Sequence, residues 1–280
     1  MQLRHIIVAT DESDAGRQAI RTALALAARA GARVTVVRAV HVGPMMPAVT
    51  VPGTASDDGA GGAPALERLQ RWVEADLPVL PEQPGISYAV AFGLPGIEIA
   101  RFAEQEGADL IVLGRKPRSR MTRLLLGDTA DAVARRSRVP CLFVPGTTGL
   151  PRRVLVAVDG TERGLTVLTT GDGFARAIGA ELGVFTVERP RPEEPAILAT
   201  ATPAGRSARV QERVRELVGR EVELRRGEPA EQILAAVEER RPDVLVIGSH
   251  RGGPAGVIEA GSTARRVAHT APCAVLTVPL

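Results

Sequence analysis

The chain repeats itself, and the repeat limits what it can fold into. Arg4–Ser13 (RHIIVATDES) aligns with Arg152–Thr161 (RRVLVAVDGT), so that Asp11 pairs with Asp159 at an offset of 148. The same offset pairs Gly31-Ala32 with Gly179-Ala180 and Ala39 with Val187. Further on, Gly93 pairs with Gly227, Asp109 with Asp243, Gly114 with Gly248, Gly127 with Gly261 and Pro145 with Pro279, all at an offset of 134. Two consistent offsets on either side of one 14-residue difference describe a duplication whose second copy is shorter between its second and third strands. At 280 residues the chain has room for two domains of about 140 each. The expected boundaries are 1–148 and 149–280, with Gly146–Pro151 as a short join.

Each copy reads as alternating strand and helix. In the first, Arg4–Thr10 is a β-branched, apolar run that ends at Asp11. Ser13 is positioned as an N-cap for a helix over Ala15–Ala30, with Gly31 as its stop. Strands are expected at Arg33–Val40, Ile86–Phe92, Asp109–Leu113 and Pro140–Val144, and helices at Ala65–Leu77, Ile97–Glu106 and Asp128–Arg136. Gly43–Pro64, rich in Gly, Pro and small residues, reads as a mobile loop. In the second copy the strands fall at Arg153–Val158, Glu181–Val187, Glu221–Arg226, Asp243–Ile247 and Ala274–Val278. Its helices fall at Glu162–Ile178, Ala204–Val218, Ala230–Arg240 and Thr263–Thr270. Apolar strands alternating with helices imply an α/β fold: two tandem, doubly wound, five-stranded parallel sheets with helices on both faces. Gly93–Gly96 and Gly227–Ala230 each precede a third helix with Pro near its start, where the missing N–H costs little, and read as structural.

Composition removes several function classes. Hydrophobic residues make up 45% and charged residues 24%, as in a globular protein with an ordinary solvated surface. No apolar run approaches the ~18 residues of a membrane span, and the N-terminus enters a strand without a signal-peptide core, so a cytoplasmic protein without membrane partners is expected. The net charge of +3 is small, and the basic cluster Arg115–Arg123 has almost no aromatic company, which argues against nucleic acid. Cys141 and Cys273 have no metal spacing and read as packing residues, and His5, His41, His250 and His269 are scattered. Met45 and Met46 fall in the long loop. GxGxxG and GxxxxGK[ST] are both absent, as is any nucleophile or paired general acid and base.

Chemistry concentrates at one end of each sheet. A doubly wound sheet binds ligands beyond the carboxyl ends of its strands, at the switch in strand order. Asp11 and Asp159 end the first strands, and Gly114 and Gly248 end the fourth. The sequence leaves two uses open for the aspartates: capping the next helix, or accepting a hydrogen bond from a ribose or a base amine. Pro242–Thr263 (PDVLVIGSHRGGPAGVIEAGST) runs strand, Gly-rich loop, helix start, an arrangement that offers backbone N–H groups and a positive dipole end to a phosphate. Ala108–Thr129 is a weaker version.

Gly, two residues, Gly, nine residues, Gly, then Ser or Thr resembles the ATP-binding motif of the universal stress protein family. The VAVDG-type first strand and ADLIVLG-type fourth strand extend the resemblance over both copies, so the chain resembles a tandem member. The resemblance implies that Asp159 and Val187 contact adenosine, and that Gly248, Gly261, Ser262 and Thr263 hold the phosphates. At the second glycine stands Arg251, followed by Gly252 and Gly253. The arginine can reach a phosphate or obstruct the close approach that glycine permits. The first copy keeps Asp11, Gly114 and Gly127 but has Pro117 for the second glycine and Asp128 for the hydroxyl residue. Pro117 removes an N–H donor. Asp128 satisfies the helix end by itself and repels a triphosphate, although Lys116 and the neighbouring arginines carry opposite charge. The first copy therefore reads as degenerate, a folding and dimerisation partner for the second.

The resemblance implies a stress-response regulator that binds ATP, with or without Mg2+, mainly in the second domain and signals through occupancy or assembly. Turnover, if any, would be slow hydrolysis. It further implies an intramolecular pseudo-dimer paired through the last strands, Cys141-LFVP and Val275-LTVP, with a homodimer of chains as a further step. The alternative is a module of the same fold that binds partners and no nucleotide.

Overall fold

The computed structural model describes residues 1–41, 50–52, 62–75, 85–115, 128–146, 149–159, 161–189, 206–249 and 262–280. The chain divides into two compact units at Leu150/Pro151. The first contains β1 (His5–Thr10), α1 (Asp14–Ala30), β2 (Arg33–Val40), β3 (Thr50–Pro52), α2 (Gly62–Glu74), β4 (Ile86–Phe92), α3 (Pro95–Gln105), β5 (Leu110–Gly114), α4 (Asp128–Arg136) and β6 (Cys141–Val144). The second contains β7 (Arg153–Val158), α5 (Glu162–Ile178), β8 (Glu181–Glu188), α6 (Arg206–Val218), β9 (Val222–Arg226), α7 (Pro229–Arg240), β10 (Val244–Ser249), α8 (Ser262–Thr270) and β11 (Ala274–Pro279).

The expected strands and helices all form, and both units are doubly wound. In the first unit the strand order is β3-β4-β2-β1-β5-β6; in the second it is β11-β10-β7-β8-β9. All pairings within the units are parallel except β3 on β4. The strand order switches direction between the parallel neighbours β1 and β5, and between β7 and β10, which sets the crevice of each sheet. Strands covered on both faces explain the unbroken apolar runs: Ile6, Ile7 and Val8 in β1 and Val244, Leu245 and Val246 in β10 are fully buried. Each large apolar side chain buried this way contributes about 1.5–3 kcal/mol. Among the described residues, no helix is long and apolar enough to cross a membrane.

One element departs from the sequence reading. Part of the loop expected over 43–64 is a strand: β3 lies antiparallel on β4, with Val51 opposite Val90. An exposed strand edge such as that of β4 offers free N–H and C=O groups, and a three-residue strand ending in Pro52 is short enough to cover it without inviting a further partner. Helix α2 also begins at Gly62 rather than Ala65, since Pro64 is tolerated within a first helical turn. The rest of 43–64, with Met45 and Met46, lies outside the described residues.

Two repeated contacts set the geometry. Asp109 Oδ2 accepts the backbone N–H groups of Arg4 (2.8 Å) and His5 (3.0 Å), fastening the start of β1 to the start of β5. Asp243 Oδ2 does the same for Arg152 and Arg153, both at 2.9 Å. The first helix of each unit then ends on a left-handed glycine, Gly31 at φ 69° and Gly179 at φ 68°.

Candidate functional site

Asp159 and Asp11 lie where the sequence placed them, just past the carboxyl ends of β7 and β1. Neither is the N-cap of the helix that follows. The caps are Thr161 and Ser13, whose side-chain oxygens accept the N–H groups of Gly164 (3.2 Å) and Gly16 (3.3 Å). Each aspartate supports its cap from behind. Asp159 Oδ1 accepts the Thr161 amide at 3.1 Å and its hydroxyl at 2.5 Å. Asp11 Oδ1 likewise accepts the Ser13 amide at 3.1 Å and its hydroxyl. A single carboxylate oxygen is thereby spent on the turn, and Asp159 Oδ2 makes no hydrogen bond among the described residues. Of the two uses left open by the sequence, direct capping falls to Ser13 and Thr161, and the aspartates support those caps.

The glycines two turns of the pattern apart complete this turn. A Cβ at Gly164 would overlap the Asp159 carbonyl oxygen and Oδ1, and one at Gly16 would overlap Thr10 Oγ1. Sequence reasoning missed both, although Asp-x-Ser/Thr-x-x-Gly recurs at the offset of 148.

Each fourth-strand glycine lies near the carboxyl end of a strand in its own sheet, Gly114 in β5 and Gly248 in β10. Val246 lies opposite Val156 in the register of β10 on β7, and the same register carried on puts Gly248 level with Val158, the residue before Asp159. A Cβ at Gly248 would come within 2.7 Å of Leu280 Cδ1 and 2.9 Å of Val167 Cγ2. One at Gly114 would overlap the carbonyl oxygen of Ala15, in the first turn of α1. Glycine lets α1 start close against the strand end at Gly114 and makes room for the Leu280 and Val167 side chains at Gly248, packing reasons independent of any ligand. Val187 is half-buried near the end of β8, opposite Arg225 of β9.

Ser262 and Thr263 are the first two residues of α8, and the first turn of that helix carries no acidic residue. The corresponding turn of α4 carries Asp128 and Asp131. Since a helix N-terminus is electropositive, α8 presents that charge uncancelled and α4 does not. Arg251, Gly252 and Gly261, with His250, lie outside the described residues, as do Gly127, Pro117 and the basic residues from Lys116 to Arg123. The Gly93–Gly96 turn is a packing feature: a Cβ at Gly96 would overlap that of Ala132, where α3 lies against α4.

Both halves of the chain match one family model, that of the universal stress protein family, over residues 2–145 and 151–279. The chain belongs to the universal stress protein family. It carries the domain twice. A universal stress protein of Methanocaldococcus jannaschii (MJ0531) is 29% identical over 149 residues, half of this chain and 81% of the relative. One from Thermus aquaticus is 31% identical over 134 residues, 45% of this chain and 98% of the relative. The crystal structure of a universal stress protein from Archaeoglobus fulgidus matches the whole chain, covering 100% of it and 99% of that protein with a TM-score of 0.68 at 22% identity. The fold of this universal stress protein is thus shared along its entire length.

The buried histidine is at the opposite end of the sheet. His5, 2% exposed at the start of β1, has Nδ1 2.9 Å from the Arg33 guanidinium and 3.3 Å from the Glu106 carbonyl oxygen, and Nε2 2.8 Å from Thr35 Oγ1. Burial, reinforced by the Arg33 charge, holds its pKa below the ordinary value.

Proposed function

We propose that the second domain binds an adenine nucleotide, ATP by the motif, and that occupancy regulates a cytoplasmic stress response through changes in partner or assembly. The observation that carries this reading is the pairing of Asp159, whose Oδ2 makes no hydrogen bond among the described residues, and the acid-free first turn of α8 beyond the carboxyl edge of one sheet. Asp159 Oδ2 is suited to a ribose hydroxyl or an amine. The N–H groups and hydroxyls at Ser262 and Thr263 are suited to phosphate. Gly248 and Val187 border the same end of the sheet, and Arg251, Gly252 and Gly261 belong to the connecting segment. Among the described residues no group of three acidic, His or Cys side chains is arranged to hold a metal ion.

The first domain is proposed to be silent toward ATP, on the strength of Asp128 and Asp131 at the N-terminus of α4. Calorimetric titration of Mg-ATP into the purified chain, after a denatured sample has been assayed for carried nucleotide, tests both halves of the proposal. One equivalent, lost in Ser262→Asp and kept in Asp128→Ser, is the expected result. No heat, no carried nucleotide and no thermal shift would assign the chain to the interaction-module class.

A further inference from the structure

We propose that Glu12 is the residue that closes the first domain to nucleotide, an internal carboxylate seated on the two arginines an incoming anion would seek. The proposal rests on the nucleotide reading of the second domain. Glu12 follows Asp11 immediately and has φ 61°, a left-handed conformation that side chains other than Asn and Asp rarely adopt. Its N–H donates to Thr10 Oγ1 at 3.0 Å, which holds the turn. Although on a loop, its side chain is only 10% exposed. Oε1 is paired with the Arg38 guanidinium, near the end of β2 and opposite Thr10 in register. Oε2 is paired with Arg68 of α2 at 3.0 Å. The carboxylate is clamped between a strand end and a helix at the ligand edge of the sheet.

Nothing in the turn itself asks for glutamate. The offset of 148 places Gly160 at this position in the second copy, and glycine takes a positive φ without strain. Backbone strain retained where glycine would relieve it marks a side chain kept for its contacts. The partner has changed in step. The counterpart of Arg38 is Thr186, which is uncharged and donates its hydroxyl to Val158 O at 2.9 Å. Both members of the ion pair are present in one copy and both are absent in the other.

The same divergence extends across the crevice. Glu12, Asp128 and Asp131 of the first copy correspond to Gly160, Ser262 and Arg265 of the second. Three carboxylates are replaced by two neutral residues and a cation, which makes these positions less favourable to polyphosphate in the first copy than in the second. Glu12 engages both Arg38 and Arg68, committing their charge-assisted hydrogen bonds to an internal carboxylate in place of an incoming phosphate.

The test compares ATP equivalents in the wild type, Asp128→Ser and Asp128→Ser/Glu12→Gly, each at full length. The expected counts are one, one and two. If the double variant fails to fold, adding Arg38→Thr copies the uncharged pair of the second domain and gives the same expectation. One equivalent in all three overturns the role of Glu12 and leaves the second site standing. Two equivalents in the wild type or in Asp128→Ser also overturn it. None in the wild type but one in the double variant upholds Glu12 and removes the second-domain reading, and none in any of them removes both.

Discussion

Thr161 donates both its backbone N–H, at 3.1 Å, and its hydroxyl, at 2.5 Å, to the same oxygen of Asp159. The turn that starts α5 therefore needs an acceptor at that oxygen, whereas the proposed recognition of a nucleotide would use the other oxygen and the charge. The two roles separate by mutation. Asp159→Asn keeps an acceptor for Thr161 and leaves the melting temperature near that of the wild type. It weakens ATP binding about tenfold, through loss of the charge-assisted bond. Asp159→Ala also costs about 1 kcal/mol of cap stability, a shift of roughly 3 °C. Thermal melts beside calorimetric titration of the two variants check the separation. Equal melting temperatures for Asn and Ala would refute the cap-support role.

The fourth-strand glycines predict an ordering of stabilities. In Gly114→Ala the new methyl meets the Ala15 carbonyl, a backbone atom in a helix that cannot move alone. In Gly248→Ala it meets the ends of the Leu280 and Val167 side chains, which can turn aside. Overpacking of the first kind costs about 1–3 kcal/mol, and the second is expected at the low end or below. Urea unfolding curves of the two variants, compared for midpoint at constant slope, measure the difference.

Asp109 and Asp243 fasten strand starts in their own units and predict domain-specific losses. Hydrogen bonds to a charged group contribute about 1.5–3 kcal/mol. Asp109→Ala should bring forward the amide exchange of β1, and Asp243→Ala that of β7, each with little effect on the other sheet. Hydrogen exchange followed by peptide mass analysis distinguishes this from a uniform loss.

His5 predicts a pH dependence confined to the first domain. Its pKa is lowered in the folded state, by burial first and then by the Arg33 charge, so the folded state prefers the neutral ring. The contribution is complete above the ordinary value of 6.5. It is lost as pH falls through that value toward the lower folded one, because the unfolded chain then binds the proton more readily. Urea midpoints measured at several pH values from neutrality downward should fall for the wild type below about pH 6.5. In His5→Gln, whose amide can replace the bond to Thr35, the slope should be shallower.

Much of this was legible in the residues because it is written in local pattern. β-branched apolar runs such as HIIVAT and VLVIG mark strands covered on both faces. Ser13 before α1 and Gly31 after it mark that helix, and the offsets of 148 and 134 expose the duplication without any knowledge of shape. The carboxyl-edge location of Asp159 and Gly248 followed from the order of elements alone. What the tertiary structure decided depends on residues far apart in the chain coming within bonding distance. Asp109 was visible as a repeated position, but its hold on Arg4 and His5 spans about a hundred residues. Strand β3 exists because β4 presents an open edge beside it, a circumstance that Thr50–Pro52 cannot signal by themselves. Glu12 reads as one more surface acid until β2 and α2 bring Arg38 and Arg68 to its two oxygens. Periodicity records which face of an element is buried. Which charge meets which is settled only when the elements pack.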